Sequence, residues 1–148
     1  MRTEALNMIT GSCLCGVVRY EIEAAGPTYN CHCSRCRKWS GSAFASSMRA
    51  PMESFRLLSG ADALGRYESS PGVKRCFCRH CGSSVLTERH DKGLVHIRLG
   101  TTDDDPGVRP RFHAFVSSKA PWQEITDDLP QLEGSSFGWT EAAARAAD

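Results

Sequence analysis

The chain has 148 residues, of which 41% are hydrophobic and 24% charged, and a formal net charge of +1. That describes one ordinary globular domain with a modest core and excludes two full domains. The near-neutral balance gives no push towards nucleic acid or an anionic membrane, and no apolar run approaches the ~18 residues needed to span a bilayer.

In chain order, the opening MRTEALNMITGS lacks the basic and apolar regions of a secretion signal, so a cytoplasmic setting is expected. Val18, Tyr20 and Ile22 alternate with Arg19, Glu21 and Glu23, the period of a half-buried strand. SRCRKWSG predicts a short helical turn stopped at Gly41. SAFASSM then sets Phe44 and Met48 on one side, and FRLL and SSVLTE continue the alternation. LVHIRLG places Val95, Ile97 and Leu99 on one face, and RFHAFVS turns Phe112, Ala114 and Val116 inward. Turn chemistry separates these runs at Gly26-Pro27, Ser59-Gly60, Pro71-Gly72, Asp105-Pro106-Gly107 and Ala120-Pro121. The expectation is a mainly β, antiparallel domain over residues 1–134, with few short helices and metal knuckles between strands. Residues 135–148 read as a C-terminal tail, in which Thr140 would cap an alanine-rich helix too short to persist unless Phe137 or Trp139 docks.

Eight cysteines without an export signal favour metal ligation over disulfides. They fall into C-x-C at Cys13 and Cys15, then C-x-C-x-x-C at Cys31, Cys33 and Cys36, and again at Cys76, Cys78 and Cys81. A structural zinc takes four thiolates, commonly as two chelating pairs, and Cys13/Cys15 with Cys78/Cys81 meet that need. Gly16 and Gly82 beside them let the backbone turn tightly. Cys31, Cys33 and Cys36 define one face of a second tetrahedron. Spacing leaves its apex either open, as in catalytic zinc sites, or closed by Cys76, His80, His96 or His113. His32 and His80 point away from the metal if the local alternation holds. His113, between Phe112 and Phe115, reads as a satisfied, half-buried histidine, and His90 as a solvated turn residue.

GSCLCGVVRYEI, NCHCSRCRKWSGSAF, RCFCRHCGS and HAFVSSKAPWQEITDDLPQ, taken in that order, resemble the family of glutathione-dependent formaldehyde-activating enzymes, which also includes centromere protein V. The resemblance covers roughly Gly11 to Gln131. It implies a β-rich, zinc-bearing fold similar to that of Mss4 and two zinc ions per chain. Cys13, Cys15, Cys78 and Cys81 would be the ligands of a structural zinc, and Cys31, Cys33 and Cys36 those of a catalytic zinc. The activity implied is condensation of glutathione with formaldehyde to S-(hydroxymethyl)glutathione, a carbon–sulfur lyase reaction run in reverse. Cys76 departs from the family pattern.

Such chemistry needs an ionised thiol, and a free cysteine with pKa near ~8.5 is only a few per cent thiolate at neutral pH. Zinc ionises a thiol that it binds. An ion already holding three thiolates carries a formal charge of −1, which favours thiolate binding over carbonyl polarisation. Glutathione's two carboxylates call for cations, and Arg35, Arg37, Lys38, Arg75 and Arg79 lie on the knuckles. Their plainer role is to offset the zinc–thiolate charge or face solvent. Ser40-Gly41-Ser42 offers backbone N–H groups to an anion, and Trp39 sits beside the ligand turn. Trp122 reads first as core and second as the wall of a cleft. Two other functions fit the same residues. One is a non-catalytic zinc module binding protein or nucleic acid through SRCRK and RCFCRHC, the nucleic-acid form being disfavoured by the charge balance. The other is thiol-redox sensing at Cys76.

Overall fold

The protein is described by a computed structural model over residues 8–23 and 26–139. Ten strands are formed there: β1 (Met8–Ser12), β2 (Arg19–Glu23), β3 (Thr28–Cys31), β4 (Ala45–Pro51), β5 (Phe55–Ser59), β6 (Leu64–Ser70), β7 (Val73–Cys78), β8 (Ser84–Arg89), β9 (Leu94–Arg98) and β10 (His113–Ala114). The α-helix α1 (Ser34–Ser40) accompanies them, with four short 3-10 turns. The fold is mainly β. Among the described residues no helix is long and apolar enough to cross a membrane. The chain packs as two compact units. The first comprises the described residues up to Gly26 together with Met48–Val108; the second comprises Pro27–Ser47 and the described residues from Arg109 onward.

In the first unit, β1, β2 and β5 form an antiparallel sheet with β2 at its centre. The alternation in β2 decides which way its side chains go. Val18 just before the strand, and Tyr20 and Ile22 within it, are fully buried, while Arg19 is exposed. Each such apolar side chain contributes about 1.5–3 kcal/mol on burial. The Tyr20 hydroxyl is satisfied at 2.8 Å by Thr101 Oγ1, and burial pushes its phenol pKa up to about 12. Strands β6 to β9 form an antiparallel meander. Register places Cys76 of β7 opposite Leu86 of β8, and Leu86 opposite Ile97 of β9, a row whose three side chains are all buried in the core.

In the second unit, β10 lies against β3, pairing His113 with Asn30 and Ala114 with Cys31. This ladder is parallel, as is the isolated bridge between His113 and Gln131, whereas the sheet of β1, β2 and β5 and the meander from β6 to β9 are antiparallel. β10 is also shorter than RFHAFVS suggests. Phe115 takes the left-handed conformation (φ 57°, ψ 42°), which ends the extended run, and Val116 starts a 3-10 turn instead of continuing the inward alternation. Phe112 and Ala114 are buried as expected. Trp122 is 70% exposed, which corrects its reading as core: the buried residue of that segment is Ala120, and a turn beginning at Pro121 carries the indole outward. Trp139 stacks on Phe112 with ring centroids 4.9 Å apart, while Phe137 stays exposed. The helix expected after Thr140 lies outside the described residues.

Candidate metal centres

Each unit carries one cysteine cluster. In the first, β1 runs out at Ser12 and the chain turns at once: the Gly16 N–H donates to Cys13 O (3.0 Å) and the Cys13 N–H to Val18 O (3.0 Å). The second knuckle follows β7, where the Gly82 N–H donates to Cys78 O (2.7 Å) and the Cys78 N–H to Ser83 O (3.0 Å). Gly16 and Gly82 adopt φ of 83° and 79°, which a side chain would strain. The Leu14 N–H donates to Ser83 Oγ (2.9 Å) and ties the two turns together.

The sulfurs of Cys13, Cys15, Cys78 and Cys81 consequently all lie within 4.8 Å of one another. Cys13 Sγ is 3.6 Å from Cys15 Sγ, and Cys15 Sγ is 3.8 Å from Cys78 Sγ. A tetrahedral zinc with Zn–S bonds near 2.3 Å has S···S edges of about 3.8 Å, so this donor set fits that ion. The Val18 N–H donates to Cys13 Sγ (3.3 Å); burial opposes ionisation of Cys13, but this bond and the neighbouring thiols bring its pKa below the ordinary value. Cys81 falls further, to about 5, chiefly through the Ser83 hydroxyl 3.2 Å away and the Ser83 backbone. Cys15 goes the other way, to about 11: the Val17 N–H pulls it down, but burial and the three other thiols outweigh that. Four thiolates in this volume repel one another, and a dication relieves the repulsion.

In the second unit, Cys31 ends β3 and Cys33 caps α1, with Cys33 Sγ accepting the Cys36 N–H (3.3 Å). N-caps are usually Ser, Thr, Asp or Asn, and a cysteine that ionises can take the carboxylate's part. The Arg37 N–H donates to Cys33 O, and Gly41 closes the helix in the left-handed conformation, its N–H on Arg37 O (2.8 Å). The three sulfurs lie within 4.8 Å of one another, and among the described residues no further Cys, His, Asp or Glu joins the group. Cys31 and Cys36 are buried and Cys33 is partly exposed. Cys33 and Cys36 beside it, together with burial, hold the Cys31 thiol far above its ordinary pKa. Cys33 is also raised: Cys31 pulls it down, but Cys36 and burial prevail.

The residues considered for a fourth position are accounted for individually. Cys76 is fully buried in the apolar core of the first unit, where burial and the nearby Glu88 push its thiol up to about 12. His80 is exposed on the second knuckle, and His96 is buried on β9. His113 is buried and engaged: its Nδ1 lies 2.8 Å from His32 Nε2, and its Nε2 lies 3.0 and 3.1 Å from the Asp127 carboxylate oxygens. His32 is fully buried, its ring 5.0 Å from that of Phe44. Asp127 carried no signal in the sequence, because nothing in EITDDLP distinguishes it from Asp128 before the fold brings it to His113.

Of the candidate cations, Arg35, Lys38 and Arg79 are exposed. Arg37 donates from Nε to His32 O (3.2 Å), and Arg75 is buried, with Nε on Ser69 Oγ (3.1 Å). The hydroxyls of Ser40 and Ser42 are spent locally, Ser40 on Cys36 O (2.7 Å) and Ser42 on Phe44 O (2.7 Å), which leaves that stretch a helix stop.

Two clusters of cysteines on the knuckles of a mainly β scaffold, each able to hold a metal ion, define the class. Residues 8–118 match the family described as glutathione-dependent formaldehyde-activating enzyme, and the chain belongs to that family. A Halomonas elongata protein provisionally named as such an enzyme is 31% identical over 80% of this chain and 81% of its own length. An Aspergillus terreus protein with the same provisional name is 30% identical over 60% of this chain. A Schizosaccharomyces pombe protein named as an uncharacterized lyase is 32% identical over 51% of it. The match spans about half the length of the two fungal relatives, 48% and 53%. The crystal structure of a Rhodobacter sphaeroides protein, 28% identical, superposes with a TM-score of 0.57 over 69% of this chain and 92% of that one.

Proposed function

We propose that this protein is a zinc-dependent enzyme of the carbon–sulfur lyase type, joining glutathione or a similar thiol to formaldehyde or a related small aldehyde, or parting them. The observation that carries this reading is the inequality of the two cysteine clusters, four sulfurs in one and three in the other. In this reading Cys13, Cys15, Cys78 and Cys81 hold a structural zinc, and Cys31, Cys33 and Cys36 hold a second. The second ion, when bound, would supply the means of keeping a substrate thiol ionised at neutral pH.

The chain's own residues do the rest. Cys31 and Cys36 are buried, so the approachable side of the cluster is that of Cys33, which continues into the exposed Ser34 and Arg35. A glutathione sulfur arriving there brings its carboxylates past Arg35 and Lys38, whose guanidinium and ammonium groups are uncommitted to any described ion pair or hydrogen bond. The helix cap fixes Cys33 and Cys36 relative to each other, since the bond from the Cys36 N–H to Cys33 Sγ is made within the ligand turn itself.

The test is an assay of adduct formation between glutathione and formaldehyde above the spontaneous rate. The wild-type chain loaded with zinc should accelerate it, and Cys33→Ser should abolish the acceleration. No acceleration by the wild type, for formaldehyde and for larger aldehydes alike, would favour a non-catalytic zinc module.

A further inference from the structure

A line of three side chains runs from the surface of the second unit to the turn between two of its cysteines. Asp127 is 46% exposed through its side chain, His113 is 2% exposed and His32 is fully buried. Burial raises the Asp127 pKa, but the His113 ring and the Leu129 N–H overcome that and leave it below the ordinary range. It is a carboxylate at neutral pH and can only accept, so His113 Nε2 carries a hydrogen. With Nε2–H as its one ring hydrogen, His113 offers a bare Nδ1 placed to accept from His32 Nε2–H across 2.8 Å. His32 is left with a bare Nδ1, a buried atom that has no hydrogen-bond partner. Charge at one end of the chain thereby dictates the tautomer at the other.

The backbone of His32 is tied as firmly as its ring. Its N–H donates to Ala114 O (2.9 Å), and its carbonyl accepts from Arg37 Nε (3.2 Å). Cys31 and Cys33 are its chain neighbours, so whatever fixes His32 fixes the spacing of two of the three sulfurs.

We propose that Asp127 and His113 are positioning residues of the three-cysteine centre, holding His32 as the Nε2–H tautomer and locking the turn on which Cys31 and Cys33 stand. The proposal rests on the reading of that centre as a metal site. It assigns roles to an aspartate and a histidine 96 and 82 positions beyond Cys31, neither of which the cysteine pattern includes.

Asp127→Asn offers a sharp test, because Oδ1 of Asp127 also accepts the Leu129 N–H (3.0 Å). An amide oxygen kept on that N–H turns its NH₂ towards His113 Nε2. Both rings must then invert, giving His32 a buried Nδ1–H in place of a bare nitrogen. Imidazole ¹⁵N shifts of the full-length, zinc-loaded protein read the tautomers directly. The wild type should show Nε2–H on both rings, and Asp127→Asn should show Nδ1–H on both. Cobalt titration should find the three-cysteine centre of Asp127→Asn weakened about ten- to a hundredfold, the range for loss of a supporting hydrogen bond, with the four-cysteine centre unchanged. Asp127→Glu, which keeps the carboxylate, should restore part of that loss.

An Nδ1–H tautomer of His32 in the wild type would overturn the proposal without any variant. So would unchanged cobalt affinity in Asp127→Asn, or equal weakening of both centres, which would mark a general loss of folding. A wild-type chain that binds one ion only would overturn the reading of the centre itself. Two ions with Asp127→Asn behaving as wild type would overturn this proposal alone.

Discussion

The two cysteine clusters are built from the same short motif and differ in how their sulfurs are recruited. In the first unit, two knuckles contribute a pair each, Cys15 and Cys78 standing 63 residues apart, so the cluster forms only when β1 and β7 are already in place. In the second, all three sulfurs come from the end of β3 and the first turn of α1. Their support combines a hydrogen bond within the turn, from the Cys36 N–H to Cys33 Sγ, with others that reach His32 from outside it. A cluster that joins distant strands is suited to holding a fold together. One drawn from six consecutive residues adds little to long-range connectivity.

The largest effect that would break this contrast is loss of a cross-strand ligand. Zinc bound by small cysteine sites contributes on the order of 10 kcal/mol to folding, so Cys78→Ser should abolish cooperative thermal unfolding of the first unit, as followed by circular dichroism. Cys36→Ser should leave that transition in place and remove only the response of the protein to glutathione. If both variants unfold alike, the division of labour between the clusters is wrong.

A smaller effect lies at alkaline pH, within the first unit. Tyr20 titrates near 10 when unfolded and at about 12 when folded; Cys76 moves from about 9 to about 12. Between those values the unfolded chain has lost the proton and the folded chain keeps it. Stability is therefore whole below pH 9 and falls as pH rises towards 12, by an amount of order 2 kcal/mol for Tyr20. Urea unfolding at pH 8 and pH 11 should show this decline, with a shallower slope in Tyr20→Phe. A flat profile would mean that Tyr20 is hydrated in the folded state.

Smallest of all is Cys76→Ala. Removing one buried sulfur from the row with Leu86 and Ile97 should cost about 1–2 kcal/mol and leave the metal content unchanged. Loss of one ion in this variant would make Cys76 a ligand and contradict the three-sulfur centre on which the proposed function rests.

Local order was legible in the sequence to the extent that the backbone enforced it. The alternation around Tyr20 gave β2 its buried and exposed faces, and SRCRKWSG folds as α1 with Gly41 as its stop. The spacing also accounts for neighbouring thiols standing together, because C-x-C and C-x-x-C bring them round one tight turn, whereas the meeting of the Cys13/Cys15 and Cys78/Cys81 pairs depends on β1 and β7. What it could not convey depends on distant pairing. Ala114 meets Cys31 in a parallel ladder, and His32 meets His113 over 81 positions and through it Asp127. Trp122 failed for a related reason: hydrophobicity favours burial, but Pro121 begins a turn that leaves the indole no partner in the core.

Cobalt substitution of the full-length protein, with metal counted per chain and the sulfur-to-cobalt charge-transfer bands recorded with and without glutathione, is the most direct trial of the unequal centres. Two ions should bind, one with an intensity set by four thiolates and indifferent to glutathione, the other with that of three and gaining intensity as glutathione is added. A single ion per chain, or a second ion already ligated by four sulfurs and unmoved by glutathione, would contradict the account.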